Sequence, residues 1–314
     1  MYFYLPIALT SINLMLIVGL GFIVGLLSGL FGVGGGFLMT PLLIMFGIQP
    51  TIAAATDSLQ IVGASTSGTF AHWRLGNVDF KMGCYLLIGG FAGGMAGVQL
   101  IKILRMLGNA DFVIKLTYVL MLGIVGAYMF FESLNAIKKT KKAKPGKQAP
   151  EISAEPRRES RFVSFIKSLP LQTRFEKSGV THSALLVIVL GAFVGVLAAI
   201  MGVGGGFLMV PVMVYLLRMP MHVVVGTSLF QILFTCIEVS FLQAYVNHTV
   251  DFILALLLLI GSTFGAQIGT KMGRKLHGDQ LKILLAVIVL VVTVKILFDL
   301  LLEPSLLIAY KGGH

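Results

Sequence analysis

The sequence predicts an all-α polytopic membrane protein made of two inverted five-element repeats, each with a helix broken at GVGGG. Three observations carry this. The 314 residues are 57% apolar and 12% charged, with a mean hydropathy of +0.94, whereas a soluble domain carries roughly 25% charged residues. Apolar runs long enough to cross a bilayer recur along the chain. One motif occurs twice: residues 31–41 read FGVGGGFLMTP and residues 201–211 read MGVGGGFLMVP.

The runs can be taken in order. A span needs about 20 apolar residues to cross about 30 Å. The first run, 12–31, lies behind an N-terminus with no basic n-region and no A-x-A pattern, so it reads as a retained span and not a signal peptide. The short run 37–48 follows the first glycine cluster, and the runs 52–72, 82–101 and 112–131 complete the first half, residues 1–135. Residues 136–182 are rich in Lys, Arg and Pro and read as a basic linker. Within it, Phe162, Phe165, Ile166 and Leu169 fall on one helical face beside Arg161 and Lys167. That pattern fits a short helix lying on anionic lipid, or an amphipathic connector packed on the protein. The second half, 183–314, repeats the order with runs at 183–201, 207–217, 223–246, 252–270 and 283–302.

The repeat extends beyond the motif. At an offset of 170, Pro41 matches Pro211 and Ser58-Leu59 matches Ser228-Leu229. At 172, Gly89, Gly93 and Gly97 match Gly261, Gly265 and Gly269, and the VDF of 78–80 matches that of 250–252. Five elements per half makes the orientation of each half depend on where positive charge sits. With the linker in the cytoplasm, nineteen of the 24 Lys and Arg residues fall inside. Lys102, Arg105, Lys115 and Lys311 fall outside, and Lys295 lies in the last span one turn from Asp299. The N-terminus is then outside, and the second half is inverted relative to the first, an arrangement common among secondary transporters.

The glycine clusters follow from this topology. A helix over 37–48 covers about 18 Å, so each break lies deep in the bilayer. Irregular backbone is tolerated there only inside protein or beside a watery cavity. Glycine allows φ > 0 and close approach of a ligand. The expected helix after each break has Pro41 or Pro211 in its first turn, with free N–H groups and its positive dipole end pointing inward, where anions bind. The spaced glycines Gly21, Gly25, Gly29 and Gly89, Gly93, Gly97 instead suit close helix packing.

The paired motif at the head of a duplicated membrane protein resembles the TauE/SafE family of sulfite and organosulfonate transporters, and the resemblance covers both halves. It implies export or uptake of sulfite, sulfoacetate or a related organosulfonate. The long linker 136–182 departs from the family's more compact pattern.

The expected substrate site comprises Gly34, Gly35, Gly36 and Phe37 with Gly204, Gly205, Gly206 and Phe207. Ser58, Thr227 and Ser228 on the following spans add hydroxyls, which can serve the anion or bond between helices. Asp57 and Glu238 are intramembrane carboxylates with no acidic counterpart in the other half: Thr227 stands opposite Asp57, and Gly68 opposite Glu238. Such groups mark ion or proton paths. A carboxylate that is protonated or holds Na⁺ while the anion is bound would couple the two, although a neutral acid bonded to a neighbouring helix is the alternative. Trp73 reads as an interface anchor, with Arg74 beside it snorkelling or contacting the anion. Cys84 and Cys236 lie in apolar runs, and no His pair has metal-ligand spacing. No cofactor, metal or nucleic-acid partner is expected. The expected partners are a small anion and inner-leaflet lipid, and a homodimer is allowed. The chain has no H-E-x-x-H, G-x-S-x-G or Walker motif. An ion-coupled exporter in a bacterial inner membrane is the leading expectation, and an anion channel with a glycine-lined backbone filter is the alternative.

Overall fold

The computed structural model describes residues 2–8, 10–31, 36–142, 171–273 and 278–302. Gly34, Gly35 and the amphipathic stretch 161–170 lie outside these residues. The first half begins with a hairpin, β1 (Tyr2–Leu5) and β2 (Thr10–Asn13), followed by α1 (Leu14–Phe31), α2 (Gly36–Met45), α3 (Pro50–Arg74), α4 (Phe80–Met106) and α5 (Ala110–Lys142). The second begins with β3 (Gln172–Phe175) and β4 (Val180–Ser183). It continues through α6 (Ala184–Met201), α7 (Gly206–Pro211) with a π-helical turn at Val212–Leu216, α8 (Met221–Leu242) with a π turn at Gln243–Asn247, α9 (Phe252–Gly273) and α10 (Gly278–Leu302).

The two antiparallel hairpins pair Tyr2 with Asn13 and Gln172 with Ser183, so the duplication of offset 170 includes them. Neither was expected. Residues 2–13 read as the head of a span and 172–182 as linker, because four-residue strands leave too short an alternation to separate from apolar or basic context.

Among the described residues, five segments are long and apolar enough to cross a membrane: Phe80–Met106, Ala110–Ala127, Ala184–Met201, Met221–Asn247 and Phe252–Gly269. The protein is a multi-pass helical membrane protein. Helix α3 is more polar than these five. It buries Thr51, Thr56, Asp57, Ser58, Gln60 and Ser65, which places its first four turns inside the bundle, while Phe70 and Trp73 near its end are exposed.

Packing crosses the halves. Helix α1 lies along α9: a Cβ at Gly21 would stand 2.7 Å from the Leu258 carbonyl oxygen, and one at Gly25 2.2 Å from that of Ser262. Helix α4 lies along α6 in the same way, with Gly89 against Ile188 and Gly93 against Ala192 at 1.9 and 2.0 Å. These glycines let the backbones touch, as expected. In both pairs the residue numbers rise together, so the helices run parallel. The repeat-matched pairs do the reverse. Gly68 of α3 meets Leu229 and Gly226 of α8 meets Asn77, while Gly123 and Gly126 of α5 meet Thr293 and Val289 of α10. Both of these matched pairs run antiparallel.

The duplicated VDF has a structural role on each face. Asp79 caps α4 through the Met82 N–H at 3.0 Å and accepts the Ser178 N–H from the second hairpin at 3.2 Å. Asp251 caps α9 through the Leu254 N–H at 3.0 Å and accepts the Ile7 N–H from the first hairpin at 3.4 Å. Each aspartate thus anchors the hairpin of the other half.

Candidate functional site

The helices that follow the two glycine clusters meet in the interior. Phe37 and Phe207, each following a glycine triplet, stack with ring centroids 4.7 Å apart and planes 10° from parallel. A Cβ at Gly36 would lie 2.2 Å from Ile61 Cδ1, and one at Gly206 would lie 2.2 Å from Ile232 Cδ1. In the second break Gly202, Gly204 and Gly205 have φ of +72°, +66° and +75°, a left-handed succession open to glycine and strained for other residues. Gly202 ends α6 by donating its N–H to the Ala198 carbonyl at 2.8 Å, and a Cβ there would stand 2.0 Å from the Ala54 carbonyl oxygen. The chain therefore passes from α6 into α7 through three left-handed glycines, with Val203 the one side chain among them.

Helices α2 and α7 start at Gly36 and Gly206. Pro41 and Pro211 are consequently their sixth residues and lie in the second turn, not the first. A proline there removes the N–H that would bond the carbonyl four residues back, which is that of Phe37 or Phe207. After Pro211 the helix widens into a π turn.

Asp57 of α3 lies beside the first turn of α2 and is fully buried. Its Oδ2 accepts the Thr40 hydroxyl at 2.8 Å, and its Oδ1 has no partner among the described residues. Tyr118 of α5 donates its hydroxyl to the Met201 carbonyl, the last residue of α6. Thr40 and Tyr118 were not foreseen. Both stand in runs read as lipid-crossing apolar helix, and only the folded chain sets them against the breaks.

A cavity of about 520 Å³ opens beside the breaks. Gly36, Val203, Gly206 and Phe207 line one part of it. Its walls are the later turns of α3, from Gln60 to Gly68, and of α9, from Ser262 to Gln267, with Val24, Gly25 and Ser28 of α1. Gln60 donates its side-chain amide to Ser262 Oγ at 2.7 Å, joining the two walls. No Lys, Arg, Asp or Glu is among the described lining residues.

The other expected residues lie elsewhere. The Ser58 hydroxyl donates to the Ala54 carbonyl at 3.2 Å and that of Ser228 to the Val225 carbonyl at 3.1 Å. Thr227 Oγ1 accepts the Asp79 N–H at 3.0 Å, and none of the three is among the residues that line the cavity. Glu238 stands on α8 with both carboxylate oxygens buried and unpartnered among the described residues. The position that a Cβ would take at Gly94 is 2.7 Å from Glu238 Oε2. Arg74 lies over the Phe70 ring at 4.7 Å, away from the breaks. Lys295 and Asp299 form the one-turn pair, at 3.6 Å.

The fold is that of a multi-pass helical membrane protein in which the helices that follow two glycine clusters meet beside a cavity with no charged side chain among its described lining residues. The chain belongs to the Sulfite exporter TauE/SafE family, whose model matches residues 17–296. It is 26% identical over 295 residues to the "Probable membrane transporter protein YunE" of Bacillus subtilis, covering 91% of this chain and 98% of that one. It is 28% identical over 282 residues to YjnA of the same organism, also named a probable membrane transporter, covering 90% and 98%. A stretch of 73 residues is 41% identical to "Sulfite exporter TauE/SafE family protein 5" of Arabidopsis thaliana, covering 21% of this chain and 16% of that one. No solved structure matches the chain.

Proposed function

We propose that the protein is a secondary transporter that exports a small anion, sulfite, sulfoacetate or a related organosulfonate, across a bacterial inner membrane, coupled to H⁺ or Na⁺. The observation that carries this reading is the stacking of Phe37 on Phe207, the first side chains after the two glycine clusters, beside a cavity with no charged side chain among its described lining residues. The first-turn N–H groups of α2 have no acceptor within their own helix, and the helix dipole favours negative charge there. Family membership and the names of the relatives point the same way.

Asp57 supplies the coupling. A carboxylate beside the first turn of α2 competes with a bound anion for the same positive end. Two negative charges close together in a low-dielectric site repel strongly, so the anion binds once Asp57 carries a proton or Na⁺. The antiparallel run of α3 with α8 and of α5 with α10 supports an inverted repeat, and the Lys and Arg count favours a cytoplasmic linker with the N-terminus outside. The cavity then opens towards the cytoplasm, on the side of Arg74 and the β3–β4 hairpin.

The test is a thermal-shift screen of purified protein against sulfite, sulfate, sulfoacetate, taurine and isethionate, followed by flux in proteoliposomes. A true ligand at 100 times its Kd stabilises the fold by about 2.7 kcal/mol. Saturable, gradient-driven flux of the stabilising anion is expected. Absence of any shift and any flux overturns the reading, and non-saturating flux that follows only the anion's own gradient favours a channel.

A further inference from the structure

The structure is asymmetric about its repeats, and the asymmetry places a second route at Glu238. By the offsets of 170 and 172, Ser65 and Gly68 of α3 correspond to Thr235 and Glu238 of α8. Ser262 and Ala266 of α9 correspond to Gly90 and Gly94 of α4. The first set lines the open cavity, and the second set is shut. A Cβ at Gly90 would touch Thr235 Oγ1 at 3.0 Å, and one at Gly94 would reach Glu238 Oε2 at 2.7 Å. At Gly68, by contrast, the nearest atoms belong to Leu229 of α8 and not to α9.

Beyond Glu238 the shut crevice is tied by polar contacts. Gln243 donates to the Ala199 carbonyl at 3.2 Å and Asn247 to the Val98 carbonyl at 3.5 Å, while Arg105 donates to the Asn247 carbonyl at 2.5 Å. These contacts join α4, α6 and the π turn after α8. A carboxylate with both oxygens buried and unpartnered is costly in any lasting state. Water reaching it in a second state removes that cost. The moving bodies follow from the packing. Helix pairs α1/α9 and α4/α6 are each locked by glycine contacts and by an aspartate-held hairpin, so each pair moves as a unit against α3 and α8.

We propose that the crevice between α4, α6 and α8 is the closed twin of the open cavity, and that it opens as the cavity closes, making Glu238 the wall of the route to the opposite side. This rests on the reading of the protein as a transporter.

The test uses full-length protein with Cys84→Ser and Cys236→Ala in proteoliposomes. One variant carries Gly90→Cys and Thr235→Cys, and a second carries Gly68→Cys and Ala266→Cys. Both pairs are expected to form disulfides with copper phenanthroline, each stopping flux by more than about tenfold and each restored by dithiothreitol. A single Glu238→Cys is expected to react with an impermeant thiol reagent from the side opposite that which labels Ser67→Cys. If the Gly68–Ala266 pair stays open while reduced protein transports, or if both single cysteines label from one side, the twin route is overturned. Loss of flux in the reduced double variants and in their parent strikes the transporter reading instead.

Discussion

Phe37 and Phe207 stack ring on ring across the two halves of the chain, with centroids 4.7 Å apart. Each is the first side chain after a glycine triplet, so the stack fixes where α2 and α7 meet. The spacing suits an offset aromatic pair. Residues 170 apart in sequence thus become stacked neighbours beside the cavity that Gly36, Val203, Gly206 and Phe207 line.

Gly205→Val is expected to abolish anion binding while the protein still inserts. Gly205 has φ of +75°, and a Cβ there would stand 2.2 Å from Val194 Cγ1. A β-branched residue in the left-handed region costs about 2 kcal/mol before any clash. Calorimetry on folded, purified variant should give at least a tenfold loss of affinity. Wild-type affinity would remove the second break from the site.

Asp57→Asn is expected to retain substrate binding and substrate-for-substrate exchange but to lose gradient-driven accumulation. The neutral amide keeps the Thr40 contact and can no longer exchange a proton or bind Na⁺ as a carboxylate does. Uptake of radiolabelled anion with and without an imposed ΔpH or Na⁺ gradient is the measurement. Undiminished accumulation would leave Asp57 as a hydrogen-bonding residue and shift attention to Glu238.

Orientation is open to labelling at exposed turns. His248→Cys and Asn109→Cys should react with an impermeant reagent from outside, and Leu75→Cys and Lys177→Cys only from inside. All four residues are exposed. Asn247 is buried and is a poor probe. Labelling of Asn109→Cys and Leu75→Cys from one side would refute the charge-based topology.

Gly93→Val should destabilise the α4/α6 pair by about 3 kcal/mol, the range for overpacking a tight contact. Its Cβ would meet the Ala192 carbonyl oxygen at 2.0 Å. The apparent melting temperature in detergent should fall by several degrees. Gly19→Val, which meets nothing within 4 Å, should melt as wild type does.

Asp79→Ala should release the second hairpin. It removes the cap on Met82 and the acceptor for Ser178, at about 1–3 kcal/mol. Hydrogen exchange at Ser178 and Val180 should accelerate in the variant. Unchanged protection there would show that Lys81, which donates to the Arg174 carbonyl at 3.1 Å, holds the hairpin alone.

The sequence by itself determined the membrane class, the duplication, the paired breaks and the glycine faces. Each is a local property: apolar run length, exact repetition, or small residues at a spacing of four. It also singled out Asp57 and Glu238, because a carboxylate within an apolar run stands out without any structure. The tertiary structure decided what these residues face. Ser58 and Ser228 look like ligands in one dimension, but in the fold their hydroxyls return to their own helix, and Thr227 accepts a bond from the Asp79 backbone. Thr40, Tyr118 and the Gln60–Ser262 pair gain their roles from residues 17, 83 and 202 positions away. The cross-half packing was equally hidden. Glycine periodicity marks which face of a helix will be touched, but the partner is chosen by three-dimensional fit, and here α1 fits α9 and α4 fits α6. The open cavity beside Ser65, Gly68, Ser262 and Ala266 was likewise invisible in the sequence, because its walls come from α1, α3 and α9, which only the packing brings together.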